Sequence, residues 1–289
     1  MCVTCGCGNT DGALTVLDST QEHVHADGTR HSHEPAHGFA AVPFRQHAQG
    51  HAHAHSHEAA LTVPGRDAHT IQLETQILSK NQLIAGRNRN WLLRRKILAL
   101  NLVSSPGAGK TTLLERTLTD LKSDVSIGVI EGDQATSNDA ERIRATGVRA
   151  VQINTGTGCH LEADMLERAL DELKPAPASL LLIENVGNLV CPALFDLGER
   201  AKVVIFSVTE GEDKPLKYPH MFGAAEVLLL SKTDLLPHIS FDVESAVANA
   251  MTVNPKLTVF RLSAYTGEGL PQWYGWLKEQ LAASALSPS

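Results

Sequence analysis

No apolar run in this chain approaches the roughly twenty residues needed to span a bilayer, and its start has no signal-peptide apolar segment. Those absences argue against a membrane protein and make the cytoplasm the expected compartment. Positive charge is also short. Lys and Arg number 25 against 32 Asp and Glu, a net charge of −7, without the basic footprint of a nucleic-acid binder. Cysteine is scarce: the five present are Cys2, Cys5, Cys7, Cys159 and Cys191. In a reducing compartment they read as metal or redox ligands rather than disulfide partners.

Histidine is plentiful but uneven, with eleven of fourteen between His23 and His69. Residues 1–67 combine His, Gly, Ala and Pro with few large apolar side chains, so they bury too little surface to offset their ordering entropy. The expectation is a cysteine motif at 1–8 and a disordered His-rich arm at 9–67. From Ala68 to Lys96, apolar residues such as Ile77, Leu78, Ile84, Trp91 and Leu92 recur at three- and four-residue spacings, which predicts a helical lead-in. Gly86 and the Arg/Asn run around it predict a weakening or a break, and Arg87, Arg89, Arg94, Arg95 and Lys96 a solvated basic face.

Residues 97–284 alternate short Val/Ile/Leu runs with longer amphipathic ones. Strands are predicted at 97–103, 125–130, 149–153, 180–184, 203–208, 227–230 and 257–262. Helices are predicted at 111–121, 138–145, 161–173, 243–251 and 270–282. The pattern is that of an α/β domain with a mainly parallel sheet, helices on both faces, and ligands at the carboxyl ends of the strands.

The first of these strands runs into Ser104-Ser-Pro-Gly-Ala-Gly-Lys-Thr-Thr112, a phosphate-binding loop that opens a helix. Gly107 and Gly109 let backbone N–H groups around Ala108 turn toward phosphate oxygens. Lys110 adds a point charge, Thr111 offers a hydroxyl to Mg²⁺, and Thr112 continues into a helix whose N-terminus favours anions. Ser104 stands where the pattern expects its first glycine. Asp133, after the second strand, can bind Mg²⁺ or orient an attacking water, so Lys110, Thr111 and Asp133 form the candidate catalytic set.

Glu184-Asn-Val-Gly187 resembles the Asp-x-x-Gly element of GTP-hydrolysing proteins, with Gly187 placed to sense the γ-phosphate. Ser231-Lys-Thr-Asp234 resembles the Asn-Lys-x-Asp element that selects guanine. Asp234 can accept both the N1–H and the 2-amino group of guanine, and the stem of Lys232 can lie across the base. Ser231 replaces an asparagine whose amide braces the loop, which predicts somewhat looser guanine selection. Ser263-Ala264 matches the backbone element that touches the 6-oxo group. GTP with Mg²⁺ is the expected ligand, and the lack of an evident glutamine or arginine finger predicts slow hydrolysis.

Two further groups suit softer metals. Cys2, Cys5 and Cys7 place three thiols on a glycine-rich peptide, a donor set for Ni²⁺, Zn²⁺ or Cu⁺. His51, His53, His55 and His57 project from one face of an extended chain and can share an exchangeable ion. Cys159-His160 opens a predicted helix whose dipole would favour thiolate, and Cys191 lies four residues past Gly187. Both fall on the phosphate edge of the sheet. Three ligands per chain leave a coordination shell that two facing chains can complete.

Together these motifs resemble the HypB family, the nickel-incorporation GTPases of nickel–iron hydrogenase maturation. The resemblance spans about residues 71–276 and the N-terminal cysteine motif. It implies a P-loop GTPase that forms a homodimer on GTP and delivers Ni²⁺ to a hydrogenase large subunit precursor with a nickel-binding accessory protein. It also implies a tight nickel site at Cys2, Cys5 and Cys7, a second metal site at Cys159, His160 and Cys191, and a lysine, Lys214, that reaches the nucleotide of the partner. A nickel store with a vestigial nucleotide domain, served by the His-rich arm, is the competing reading. A urease-type nickel-insertion GTPase is a third, from which the Cys2-x-x-Cys5-Gly-Cys7 start points away.

Overall fold

A computed structural model describes residues 14–16, 68–133 and 138–286. The candidate ligands Cys2, Cys5, Cys7, His51, His53, His55 and His57 lie outside these residues. In chain order the strands are β1 (Leu14–Val16), β2 (Leu98–Ser104), β3 (Ile127–Asp133), β4 (Arg149–Asn154), β5 (Leu180–Glu184), β6 (Ala201–Ser207), β7 (Val227–Ser231) and β8 (Thr258–Arg261). The helices are α1 (Ala68–Arg94), α2 (Lys110–Leu121), α3 (Asn138–Ala145), α4 (Ala163–Leu173), α5 (Cys191–Leu194), α6 (Lys214–Lys217), α7 (Pro219–Ala224), α8 (Val243–Val253) and α9 (Leu270–Leu286). A 3₁₀ turn covers Thr233–His238.

The strands form one sheet in the order β1-β4-β3-β5-β2-β6-β7-β8. All pairings from β4 to β8 are parallel, as the runs of Val, Ile and Leu predicted. The exception is β1, a three-residue strand that pairs antiparallel with β4 inside the stretch expected to be disordered. Thr15 and Val16 are β-branched, and β4 would otherwise offer an open edge.

β2 lies at the centre and is buried along its whole length. Its alternate residues Leu98, Leu100 and Leu102 pack with Leu114 and Leu118 of α2 and Trp273 and Leu277 of α9. Ala99, on the opposite face, joins Leu166, Leu170 and Leu173 of α4. Each fully buried leucine of this kind contributes roughly 1.5–3 kcal/mol. Both faces are therefore covered, so β2, β3 and β5 can end together only at the carboxyl edge, where the loops are polar. Among the described residues, no helix is long and apolar enough to cross a membrane.

Two sequence expectations change in α1. The helix runs unbroken through Gly86, which faces open space, because the residues beside it are anchored. Asn88 Nδ2 donates to the carbonyls of Ala163 (2.8 Å) and Leu197 (2.9 Å), and Asn81 bonds both Asp196 O and Ala163 N. Nor is the basic face simply solvated. Arg89 pairs with Asp196 at 2.6 Å, Arg87 with Glu167 at 3.1 Å, and Arg95 lies over the Trp91 ring. α1 is docked against the start of α4 and the 195–198 loop.

Gly198 is where that docking is tightest. Its φ is +96°, and a Cβ there would stand 2.6 Å from the Ala85 carbonyl oxygen and 2.8 Å from Arg89 N. Gly198→Ala is expected to destabilise the chain by about 2 kcal/mol or more, read as a lower urea midpoint at unchanged m-value.

Candidate nucleotide and metal site

A cleft of about 540 Å³ opens beyond the ends of β2, β3 and β5. The phosphate loop forms its floor, with Gly107 (φ +76°) and Gly109 (φ +92°) in the left-handed region that a side chain disfavours. Ser104 needs no such freedom: it is buried outside that region, and its hydroxyl donates to Ser105 O at 2.7 Å. α2 starts at Lys110, which aims the helix N-terminus into the cleft. Lys110 Nζ donates to Glu184 Oε1 at 2.8 Å, and Thr111 Oγ1 donates to the same oxygen at 2.6 Å. Gly187 crosses close behind the loop, where a Cβ would stand 3.2 Å from Pro106 Cα.

Opposite Lys110, β3 contributes Glu131 and the half-buried Asp133 to the cleft wall. Glu131 is buried, and neither its Oε2 nor that of Glu184 has a hydrogen-bond partner. Burial, followed by the charges of Glu184, Asp133 and Asp139, pushes the Glu131 carboxyl up to about 8. Unpartnered buried carboxylate oxygens beside the Thr111 hydroxyl fit a hard cation such as Mg²⁺. Thr111 and Asp133 were expected in that role; Glu131 and Glu184 were not.

The elements expected to select guanine converge at the other side of the loop. Ser231 Oγ donates to Ala108 O at 2.8 Å, and Lys232 Nζ donates to Gly107 O at 2.6 Å. Ser231 thus braces the loop that its replacement of asparagine was expected to leave looser. Ser263 Oγ donates to Asp234 Oδ1 at 2.5 Å and accepts the N–H groups of Tyr265 and Thr266. That bond holds the Asp234 carboxylate in place and brings the Ser263-Ala264 backbone beside it.

Cys159, His160 and Cys191 come together as a metal-sized cluster, with ligand atoms all within 4.8 Å of one another. The two sulfurs are 3.1 Å apart without a disulfide, and Cys159 Sγ is 3.6 Å from His160 Nδ1. Burial lowers His160 to about 4, so its imidazole is neutral and able to ligate at physiological pH. Its ring lies 4.0 Å from that of Phe195. One expectation is corrected: α4 begins at Ala163, so Cys159 lies before the helix and outside the first-turn reach of its dipole. Cys191 instead opens the four-residue α5.

Arg142, absent from the sequence expectations, also lines the cleft. It donates to Thr112 Oγ1 at 3.1 Å and to Glu115 at 2.7 Å. Its only sequence signal was a place on the polar α3, which no motif marks. Lys214 is held by Glu210 at 2.8 Å, and Glu210 also accepts from Ser105 Oγ at 2.7 Å. The raised Glu131 pKa has a testable sign. The folded chain keeps a proton that the unfolded chain loses near pH 4.5, so stability falls as pH rises from there toward about 8. Without nucleotide, Glu131→Gln is expected to match wild type in urea melts near pH 4.5 and exceed it at pH 8. The difference should widen by up to about 1.4 kcal/mol per pH unit.

Residues 98–261 match the CobW/HypB/UreG nucleotide-binding domain family. A hydrogenase maturation factor HypB from Rhizobium leguminosarum is 58% identical over 229 residues, which cover 79% of this chain and 77% of that one. The Escherichia coli K12 HypB is 50% identical over 293 positions, covering 98% of this chain and all of that one. Among solved structures, HypB from Helicobacter pylori in complex with nickel is 39% identical with a TM-score of 0.67, over 73% of this chain and 99% of that one. A family match over residues 98–261 and a relative aligned over 98% of the chain at half identity leave one conclusion: this chain belongs to the HypB family of hydrogenase maturation factors.

Proposed function

We propose that the chain is a slow GTPase that carries nickel and releases it, under nucleotide control, to a hydrogenase large subunit precursor. One observation carries this reading: the segment from Glu184 to Cys191 belongs to both sites. It opens on a carboxylate bonded to Lys110 and Thr111, passes Gly187 against the phosphate loop, and ends on a ligand of the metal cluster. A change at the γ-phosphate therefore has six residues to travel. The nickel in the Helicobacter pylori relative supports Ni²⁺ as the cargo.

In hydrolysis Lys110 and the loop N–H groups orient the phosphates, while Asp133 is set to orient the attacking water. Mg²⁺, held when bound by Thr111 with Asp133, Glu131 or Glu184, supplies neutralisation of the developing phosphate charge. Guanine is selected at Asp234, fixed by Ser263. The three-ligand cluster, with Val190 and Leu194 exposed beside it, supports a homodimer that completes the coordination shell. In this proposal Cys2, Cys5 and Cys7 hold nickel tightly and His51–His57 keep an exchangeable reserve, both passing it toward the accessory protein and the precursor. Zn²⁺ is the competing occupant of the cysteine sites.

Lys110→Ala is expected to lower GTP turnover at least a hundredfold, and normal turnover would end the GTPase reading. Asp234→Asn exchanges an acceptor for a donor, so it should weaken GTP and favour xanthosine triphosphate, whose 2-oxo group accepts. Competition binding of the two nucleotides measures that inversion. For the cargo, titrations follow the sulfur-to-nickel absorption band in full-length chain carrying Cys2→Ser, Cys5→Ser and Cys7→Ser. Cys191→Ser in that background should weaken Ni²⁺ at least tenfold. Deleting residues 23–57 should impair hydrogenase maturation only when nickel is scarce; failure at every nickel level would favour storage as the main role.

A further inference from the structure

Four buried polar side chains that neither site uses form a hydrogen-bonded line that ends beside both. Asn101 and Asn185 are fully inaccessible, and Glu199 and Lys202 are 6% and 8% exposed. Lys202 pairs with Glu199, whose Oε1 also accepts from Asn101 Nδ2 at 3.1 Å. Asn101 Oδ1 accepts from Asn185 Nδ2 at 3.2 Å. Four polar residues in the core at β2, β5 and β6 cost desolvation energy that apolar side chains would not.

The bonds at the ends of the line show what it holds. Asn185 Oδ1 accepts two backbone N–H groups, from Leu161 at 3.2 Å and Val186 at 3.0 Å. Leu161 follows the ligands Cys159 and His160; Val186 precedes Gly187, which abuts the phosphate loop. At the far end Glu199 Oε2 accepts Leu197 N at 2.7 Å, and Lys202 Nζ donates to Phe195 O at 3.1 Å, the residue whose ring rests on His160. A single carboxamide oxygen thus ties the metal loop to the nucleotide loop, and Asn101 fixes its orientation.

We propose that Asn185 is the positioning residue that makes the metal cluster respond to the nucleotide. A shift of the 184–187 backbone moves an acceptor that Leu161 N–H shares, so Cys159 and His160 are displaced relative to Cys191. The alternative, a purely structural network, predicts lost stability with coupling intact. This inference rests on the nucleotide–metal coupling proposed above, and the test separates the two.

Full-length chain carrying Cys2→Ser, Cys5→Ser and Cys7→Ser leaves Cys159 and Cys191 as its only thiols, so the sulfur-to-nickel band reports this cluster alone. NiSO₄ titrations with Mg²⁺ and either GDP or a non-hydrolysable GTP analogue give a ratio of affinities, expected to be at least fivefold. Asn185→Ala should bring that ratio within twofold while each nucleotide still binds within about threefold of the parent. Asn101→Ser, which keeps both acceptor bonds but releases the amide, should reduce the ratio at least twofold and replaces Asn185→Ala if that variant does not fold. A folded variant with the parental ratio overturns the role of Asn185 alone. A ratio of one in the parent overturns this inference together with the coupling beneath it.

Discussion

The arrangement of the cleft depends on one buried ion pair. Glu184, buried at the end of β5 where it lines the cleft, gives a single oxygen to both Lys110 and Thr111. Two charges so placed would each be strongly penalised alone, and removing either partner of such a pair costs roughly 3–5 kcal/mol. Lys110 can therefore turn to a phosphate only if something else satisfies Glu184, and a Mg²⁺ shell that includes its second oxygen is chemically suited to that. Burial and the charges of Glu184, Asp133 and Asp139 raise the Glu131 carboxyl to about 8 despite the opposing charge of Lys110.

The chain that leaves Glu184 has little freedom. Val186 is tied to Asn185, Gly187 is pressed against Pro106, and Val190 is capped by Asn188 at 2.8 Å before Cys191 begins α5. The other cluster ligands hang from β4 through a loop bound back to β3, where Thr155 donates to Asp133 O. Neither ligand loop is a free tether. Each is anchored on a strand end that also lines the nucleotide cleft, so the cysteine–histidine cluster and the phosphate loop share supports.

Much of this was legible in the sequence because the chemistry is local there. A glycine that must adopt positive φ, a lysine at a helix start and an aspartate after a strand act within a few residues of themselves. The strands were readable for a related reason: a parallel sheet buried on both faces demands unbroken apolar runs. Misreadings arose where distant partners decided the outcome. Gly86 did not break α1, since Asn81 and Asn88 are held by residues more than seventy positions away. Cys159 proved to lie ahead of its helix, which begins only at Ala163. Arg142 belongs to no motif, and only the packing of α3 against α2 brings it into the cleft.

By itself the amino-acid order determined the fold class, the phosphate loop and which aspartate, cysteine and histidine side chains became candidates for the sites. Each is encoded by side-chain type at short spacing, which backbone geometry converts directly into a site. Tertiary structure alone decided that Glu184 would be the partner of Lys110, that Ser231 would reach Ala108, and that Asn185 would join the two loops. Those are contacts across 123, 74 and 24 positions, respectively for Ser231, Lys110 and Asn185. Burial selects them, because a polar group removed from water must find a partner wherever the fold has placed one.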